Sequence, residues 1–336
     1  MANARRAGAA LIALTVSLAL GACSTGDILP QSSSQSGSPQ SGSGPNMDTR
    51  RLSVVFNAVQ DALDKGDASG NTSDLEARVT DPALRMRGDE YRLAKATGSA
   101  VTPLDLSSQT STVTNSSSWP RAVLDFAQAP DTGLPVVFVL TQADARSDYK
   151  LQSWVRLLGG VSLTTLSVDT GSPYVSADTP GFALTPADAV SAYVDMLNAG
   201  NAGGDSFTSD EFATTYLSEA KQLNDSVKAA GSVTAKASTG DFPVTGVLLQ
   251  DGSALVSGSF TYTHTYARTV ARSTLKLGGS AAAINSGDDS VKGTITVQYL
   301  VNVLIKVPVT GKAQLVGAER AIESTSRDDN AKPQGE

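Results

Sequence analysis

Ala62-Leu63-Asp64-Lys65-Gly66-Asp67-Ala68-Ser69-Gly70 is echoed further along the chain by Met196-Leu197-Asn198-Ala199-Gly200-Asn201-Ala202-Gly203-Gly204. In both copies an amphipathic helix runs into a glycine-rich stop. Upstream of the first, Leu52, Val55, Phe56, Val59 and Leu63 recur at helical spacing. The second copy carries Val190, Tyr193, Val194 and Leu197, with Thr185 placed as N-cap and Pro186 at the first helical position. A further helical region follows each time. Residues 74–97 hold Leu75, Val79, Leu84, Tyr91 and Leu93, with Pro82 opening a new helix, and residues 210–230 hold Phe212, Tyr216, Leu217, Leu223 and Val227.

Both halves then change to the two-residue period of strands. Trp119-Pro120 precedes Ala122 to Phe126, and Phe242-Pro243 precedes Val244 to Leu248, so an aromatic-Pro pair opens the equivalent strand in each. Pro135 to Thr141 and Leu151 to Leu158 complete the first set. Leu255 to Ala267, Thr294 to Val307 and Ala313 to Glu323 complete the second, and Ser280 to Ser290 reads as a Gly/Ser/Asp-rich loop. Helices followed by a meander of strands define an α+β class, expected here as two similar domains at residues 48–180 and 181–325. That element order resembles the cone-shaped fold of the nuclear transport factor 2-like and cystatin-like group. The resemblance implies a curved antiparallel sheet wrapped around N-terminal helices, with room for a pocket.

The N-terminus carries an address. Arg5 and Arg6 precede an uncharged apolar run from Ala7 to Leu20, too short to span a bilayer, which takes about 20 residues. Leu20-Gly21-Ala22-Cys23 closes that run and contains the only cysteine of the chain. The tetrapeptide resembles the lipobox of bacterial lipoproteins. The resemblance implies removal of residues 1–22, cleavage between Ala22 and Cys23, and thioether lipidation of Cys23 on the extracytoplasmic face of the cell membrane. A lipidated Cys23 leaves no thiol for a disulfide or a metal.

Residues 23–47 are mostly Ser, Gly, Gln and Pro, as in Gln31-Ser32-Ser33-Ser34-Gln35, and read as a flexible linker with a reach of roughly 25–30 Å. Residues 326–336 read as a second polar, disordered tail. The layout of lipobox, linker and tandem halves is similar to that of actinobacterial envelope lipoproteins. The formal net charge is −7, and losing Arg5 and Arg6 takes 26 basic residues to 24 against 33 acidic ones, near −9. This balance disfavours nucleic acid and anionic lipid surfaces as partners.

Strand alternation places Phe260, Tyr262, His264 and Tyr266 on one face, and Tyr299 on a similar row in the next long strand. These five residues form the candidate ligand pocket. His264 is the only histidine, and the cone resemblance implies enzymes that use a His–carboxylate pair; cross-strand aromatic packing is the competing account.

Other charged stretches have simpler readings. Asp144 to Tyr149 reads as a charged hairpin turn, Trp154 with Arg156 as sheet packing, and Asp210-Glu211 as a helix start. No phosphate-binding glycine loop, His-Glu-x-x-His zinc pattern, Gly-x-Ser-x-Gly elbow or calcium loop is present, so no cofactor, metal or catalytic residue is assigned. The expectation is a non-enzymatic, lipid-anchored envelope protein that binds or scaffolds a protein partner. A carrier of a lipid or hydrophobic small molecule is the alternative, and a cone-fold enzyme using His264 comes third.

Overall fold

The computed structural model describes residues 31–33, 44–107, 110–128 and 133–333. In chain order they form β1 (Gln31–Ser33), α1 (Thr49–Ser69), α2 (Ala83–Thr97), β2 (Thr110–Val113), β3 (Arg121–Gln128), β4 (Pro135–Gln142), β5 (Lys150–Leu157), β6 (Thr164–Leu166) and β7 (Tyr174–Ser176). The second half contributes α3 (Pro186–Asn198), α4 (Glu211–Val227), β8 (Gly231–Thr239), β9 (Thr245–Leu248), β10 (Ala254–Arg268), β11 (Leu275–Lys276), α5 (Gly279–Ile284), β12 (Ser290–Val291), β13 (Thr294–Val307) and β14 (Gln314–Asp328). The chain is mixed α+β, with a mostly antiparallel sheet.

Local chemistry sets the helix ends. The Asp48 side chain accepts from the Arg51 amide at the start of α1, which stops at Gly70 with φ 64°. Thr185 caps α3, Pro186 occupies its first turn, and Asp210 accepts from the Ala213 amide at the start of α4. The matched glycines of the opening motif play different parts. Gly200 takes a left-handed φ of 75° just past α3, whereas Gly66 lies inside α1. A Cβ at Gly66 would stand 2.7 Å from Tyr91 Oη and collide with Leu75.

Ten strands form one sheet in the order β2-β3-β4-β5-β14-β13-β10-β9-β7, with β8 also on β10. The strands of the two halves meet twice: Gly317 and Ala318 of β14 pair with Leu157 and Arg156 of β5, and Tyr174–Ser176 of β7 pairs antiparallel with β9. The Leu158 amide extends the first joint by donating to the Val316 carbonyl at 2.9 Å. Alternation then divides the apolar side chains between two faces. On one face, α1 and α2 cover Phe138 and Trp154, and α3 and α4 cover Phe260 and Val301. On the other, Leu124, Val137 and Val155 pack with Val247, Leu255 and Leu304 from the second half.

Several expectations are corrected. Ser280 to Ser290 is not all loop, since α5 begins at Gly279 and ends at Ile284. β14 runs to Asp328, past the expected start of the tail at Ser326, because its ladder with β13 continues through Ser326, Arg327 and Asp328, and Arg327 is also held by Asp288 and Asp329, each at 2.6 Å. Within the expected linker, residues 31–33 pair in parallel with β6, and the Asn46 amide donates to the Thr114 carbonyl at 2.7 Å beside a buried Met47. The signal segment 1–22, Cys23 with its cleavage site at Ala22, and residues 24–30 and 34–43 lie outside the described residues. Among the described residues no helix is long and apolar enough to cross a membrane.

Candidate functional site

α2 and α4 stand on the same face of the sheet, one from each half, and leave a cleft of about 830 Å³ between them. β10, β13 and β14 supply its floor through His264, Tyr266, Tyr299 and Ile322. Leu93 and Glu90 of α2 form one wall, and Leu223 and Glu219 of α4 the other, while the segment from Gly278 into α5 closes an end. A groove of about 630 Å³ lies on the far side of α2, bordered by Arg85, Arg92 and Glu323. Asp89 borders both spaces.

Of the five expected pocket residues, His264, Tyr266 and Tyr299 line the cleft. Phe260 and Tyr262 do not. Phe260 is buried against Tyr193 and Phe212, with ring centroids 6.2 and 6.3 Å away, and Tyr262 stacks flat on Tyr299 at 4.6 Å. Their side chains follow the same face of β10, but α3 and α4 cover that end of the strand.

His264 is 2% exposed and packs among Tyr262, Tyr299 and Tyr216 at 5.2, 5.6 and 6.5 Å. Neither ring nitrogen has a hydrogen-bond partner among the described residues. Burial pushes the imidazole down to about 4; Glu219 works against this and Arg320 adds to it. The ring is therefore neutral at physiological pH. The carboxylate that an acid–base pair would need is committed elsewhere, because Glu219 accepts from both Nη atoms of Arg320 at 2.6 and 2.7 Å. Arg320 Nη1 also donates to Tyr262 Oη at 2.9 Å.

The charged wall lies on α2 and was not legible in the sequence. Arg87 is fully buried and donates to Asp67 through Nε at 2.9 Å and through Nη2, to Glu90 through Nη1 at 2.5 Å, and to the Thr102 carbonyl at 3.0 Å. One guanidinium thus serves two carboxylates. Burial raises Glu90 to about 7; Arg87 opposes the shift, and Glu319 and Asp67 add to it. Asp89 accepts from Arg92 at 2.7 Å through Oδ1, while Oδ2 is buried without a partner among the described residues. Burial lifts Asp89 to about 7 as well, with Arg92 opposing and Glu323 reinforcing.

Charges on a helix read as a solvated face. The available signal was Arg87 standing four residues before Tyr91, on the face that carries the buried side chains of α2.

The remaining candidates have structural roles. Asp144 accepts from the Arg146 and Ser147 amides in the β4–β5 turn, and its carboxyl is held below the usual range by the Ser147 hydroxyl and these amides. Trp154 is core, Arg156 pairs with Glu319 at 3.1 Å, and Asp210 caps α4 while accepting from Tyr193 Oη at 3.0 Å.

Residues 56–326 match the model of a family described as Domain of unknown function (DUF8094). The chain belongs to that family. No curated protein and no solved structure matches it.

Proposed function

We propose that this chain is a lipid-anchored, extracytoplasmic binding protein of the bacterial envelope that acts without catalysing a reaction. Its binding site in this reading is the cleft between α2 and α4. The observation that carries the proposal is the construction of that cleft, with a wall from each half over a shared sheet. Clefts bounded by separate units and floored by aromatic side chains are common ligand sites. The halves at residues 48–180 and 181–325 are then two related helix-plus-sheet units of the cone type, set on one sheet. Cys23 carries the lipid, and the linker holds the body at the membrane.

The carrier reading has an observation of its own. Leu93, Leu223 and Ile322 give the cleft apolar walls that would accept a hydrophobic chain. The His264 acid–base reading lacks the partner it requires among the described residues.

Site-directed photo-crosslinking in intact cells tests the proposal. A photoreactive residue at Leu223, in the cleft, should give a discrete adduct. One at Val309, exposed in the turn between β13 and β14, should not. Cys23→Ala should release the protein from the membrane fraction and abolish lipid labelling. Equal labelling at both positions would remove the cleft from the account, and an unchanged lipid content would remove the anchor.

A further inference from the structure

We infer that the cleft takes a monocation, an amine or guanidinium carried on an apolar stem. The inference rests on the cleft being the binding site and specifies what it binds. It stands first on the ion pairing around the cleft. Glu219 and Arg320 satisfy one another, Glu319 has Arg156, and Glu323 has Arg85. Arg87, by contrast, is divided between Asp67 and Glu90, which leaves the Glu90 side of the cleft one positive charge short. Glu90 retains about a quarter of its side-chain exposure and can be reached from the cleft.

A second observation is independent of that count. Asp89, only 3% exposed and bordering both the cleft and the groove beyond α2, has a carboxylate oxygen with no donor among the described residues. A buried carboxylate without full compensation costs several kcal/mol, and a cation nearby offsets part of that cost. The rest of the lining agrees. A neutral His264 offers no repulsion to a cation. Tyr266 and Tyr299 bring aromatic rings to the floor, and a cation over such a face gains roughly 0.5–2 kcal/mol. Leu93, Leu223 and Ile322 suit the stem. An anion would meet Glu90 and Glu219 directly.

The cation chemistry could come from a free amine or from a lysine or arginine side chain of a partner protein. Charged groups act on Glu90 from α1 (Asp67), α2 (Arg87) and β14 (Glu319), and on Asp89 from α2 (Arg85, Arg92) and β14 (Glu323), while Glu219 and Arg320 line the same cleft. Because burial holds the Asp89 and Glu90 carboxyls near 7, cation binding should strengthen between pH 5 and pH 8.

The test is an NMR titration of the full mature chain carrying Cys23→Ser, with hexylamine, hexanol, hexanoate and the peptide acetyl-Ala-Leu-Lys-Leu-Ala-amide. Hexylamine should shift the amide signals of Glu90, Leu93 and Leu223 saturably, at least tenfold more tightly than hexanol, and hexanoate should not. Glu90→Gln should weaken hexylamine about tenfold while keeping the native spectrum. Tighter binding of the peptide than of hexylamine assigns the cation to a protein side chain, and the reverse assigns it to a free amine. Equal binding of hexanol, or preference for hexanoate, overturns the cation and leaves the cleft as a binding site. Failure of every probe to perturb the cleft overturns both.

Discussion

His264 holds a polar ring among three tyrosines with neither nitrogen bonded to any of the described residues, and an unmade buried hydrogen bond costs about 1–3 kcal/mol. His264→Phe should therefore stabilise the protein by about 1 kcal/mol in urea unfolding at pH 7, whereas a hidden structural bond to the ring would make the variant less stable. Its titration has a definite sign. The folded value near 4 lies below the ordinary 6.5, so between these values the unfolded chain takes up a proton that the folded chain refuses. Stability from this group rises with pH through that window.

Asp89 and Glu90 behave oppositely. Their folded values near 7 lie above the ordinary 3.8 and 4.5, so stability is present at low pH and lost as pH rises towards 7. Two groups outweigh one, and wild-type stability should fall from pH 5 to pH 7.5. The Asp89→Asn/Glu90→Gln double variant should flatten that fall, because it leaves the rise from His264 set against the buried, raised carboxyls of Asp210 and Glu319. The alternation of Phe260 to Tyr266 made the aromatic floor legible. The wall of Arg87, Asp89 and Glu90 was not, because a burial that contradicts residue type is imposed by distant packing.

At the scale of elements, the paired motifs located both helices and their glycine stops, Gly70 after α1 and Gly200 after α3, but not the part played by the glycine that aligns with Gly200. Gly66 and Gly200 align, yet only Gly200 terminates a helix; Gly66 lets Leu75 and Tyr91 approach α1. Helix propensity alone would make Gly66→Ala stabilising by up to about 1 kcal/mol. The crowding here should win, and the substitution should destabilise by about 1–3 kcal/mol in thermal or urea unfolding. A gain in stability would mean that the contact relaxes freely.

The long strands β10 and β13 were legible because one face of each is continuously apolar. β8 was missed for the opposite reason. It is an edge strand with only Gly231, Val233 and Ala237 buried, and the Ala237 amide and carbonyl bond to the Asn198 side chain, each at 2.9 Å. Asn198 lies 39 residues before Ala237, where no local pattern reveals the contact.

Across the whole molecule, the α+β mixture of helices and strands could be read, whereas the union of the strands into one sheet could not. The β5–β14 joint depends on Gly317, where a Cβ would come within 2.8 Å of Val155, and a glycine in a strand does not announce which strand it meets. That union shapes the cleft, since Leu93 and Leu223 face one another across a floor formed by strands of a common sheet. Filling this space should block binding without unfolding the chain.

Native mass spectrometry of the full mature protein, purified from its own membrane, tests the cleft most directly when wild type is compared with Ala94→Trp, a change in the α2 wall. A discrete bound mass on wild type, absent from a variant with the same folded charge-state distribution, is the expected result. A bound mass carried equally by both proteins, or none on wild type, would contradict it.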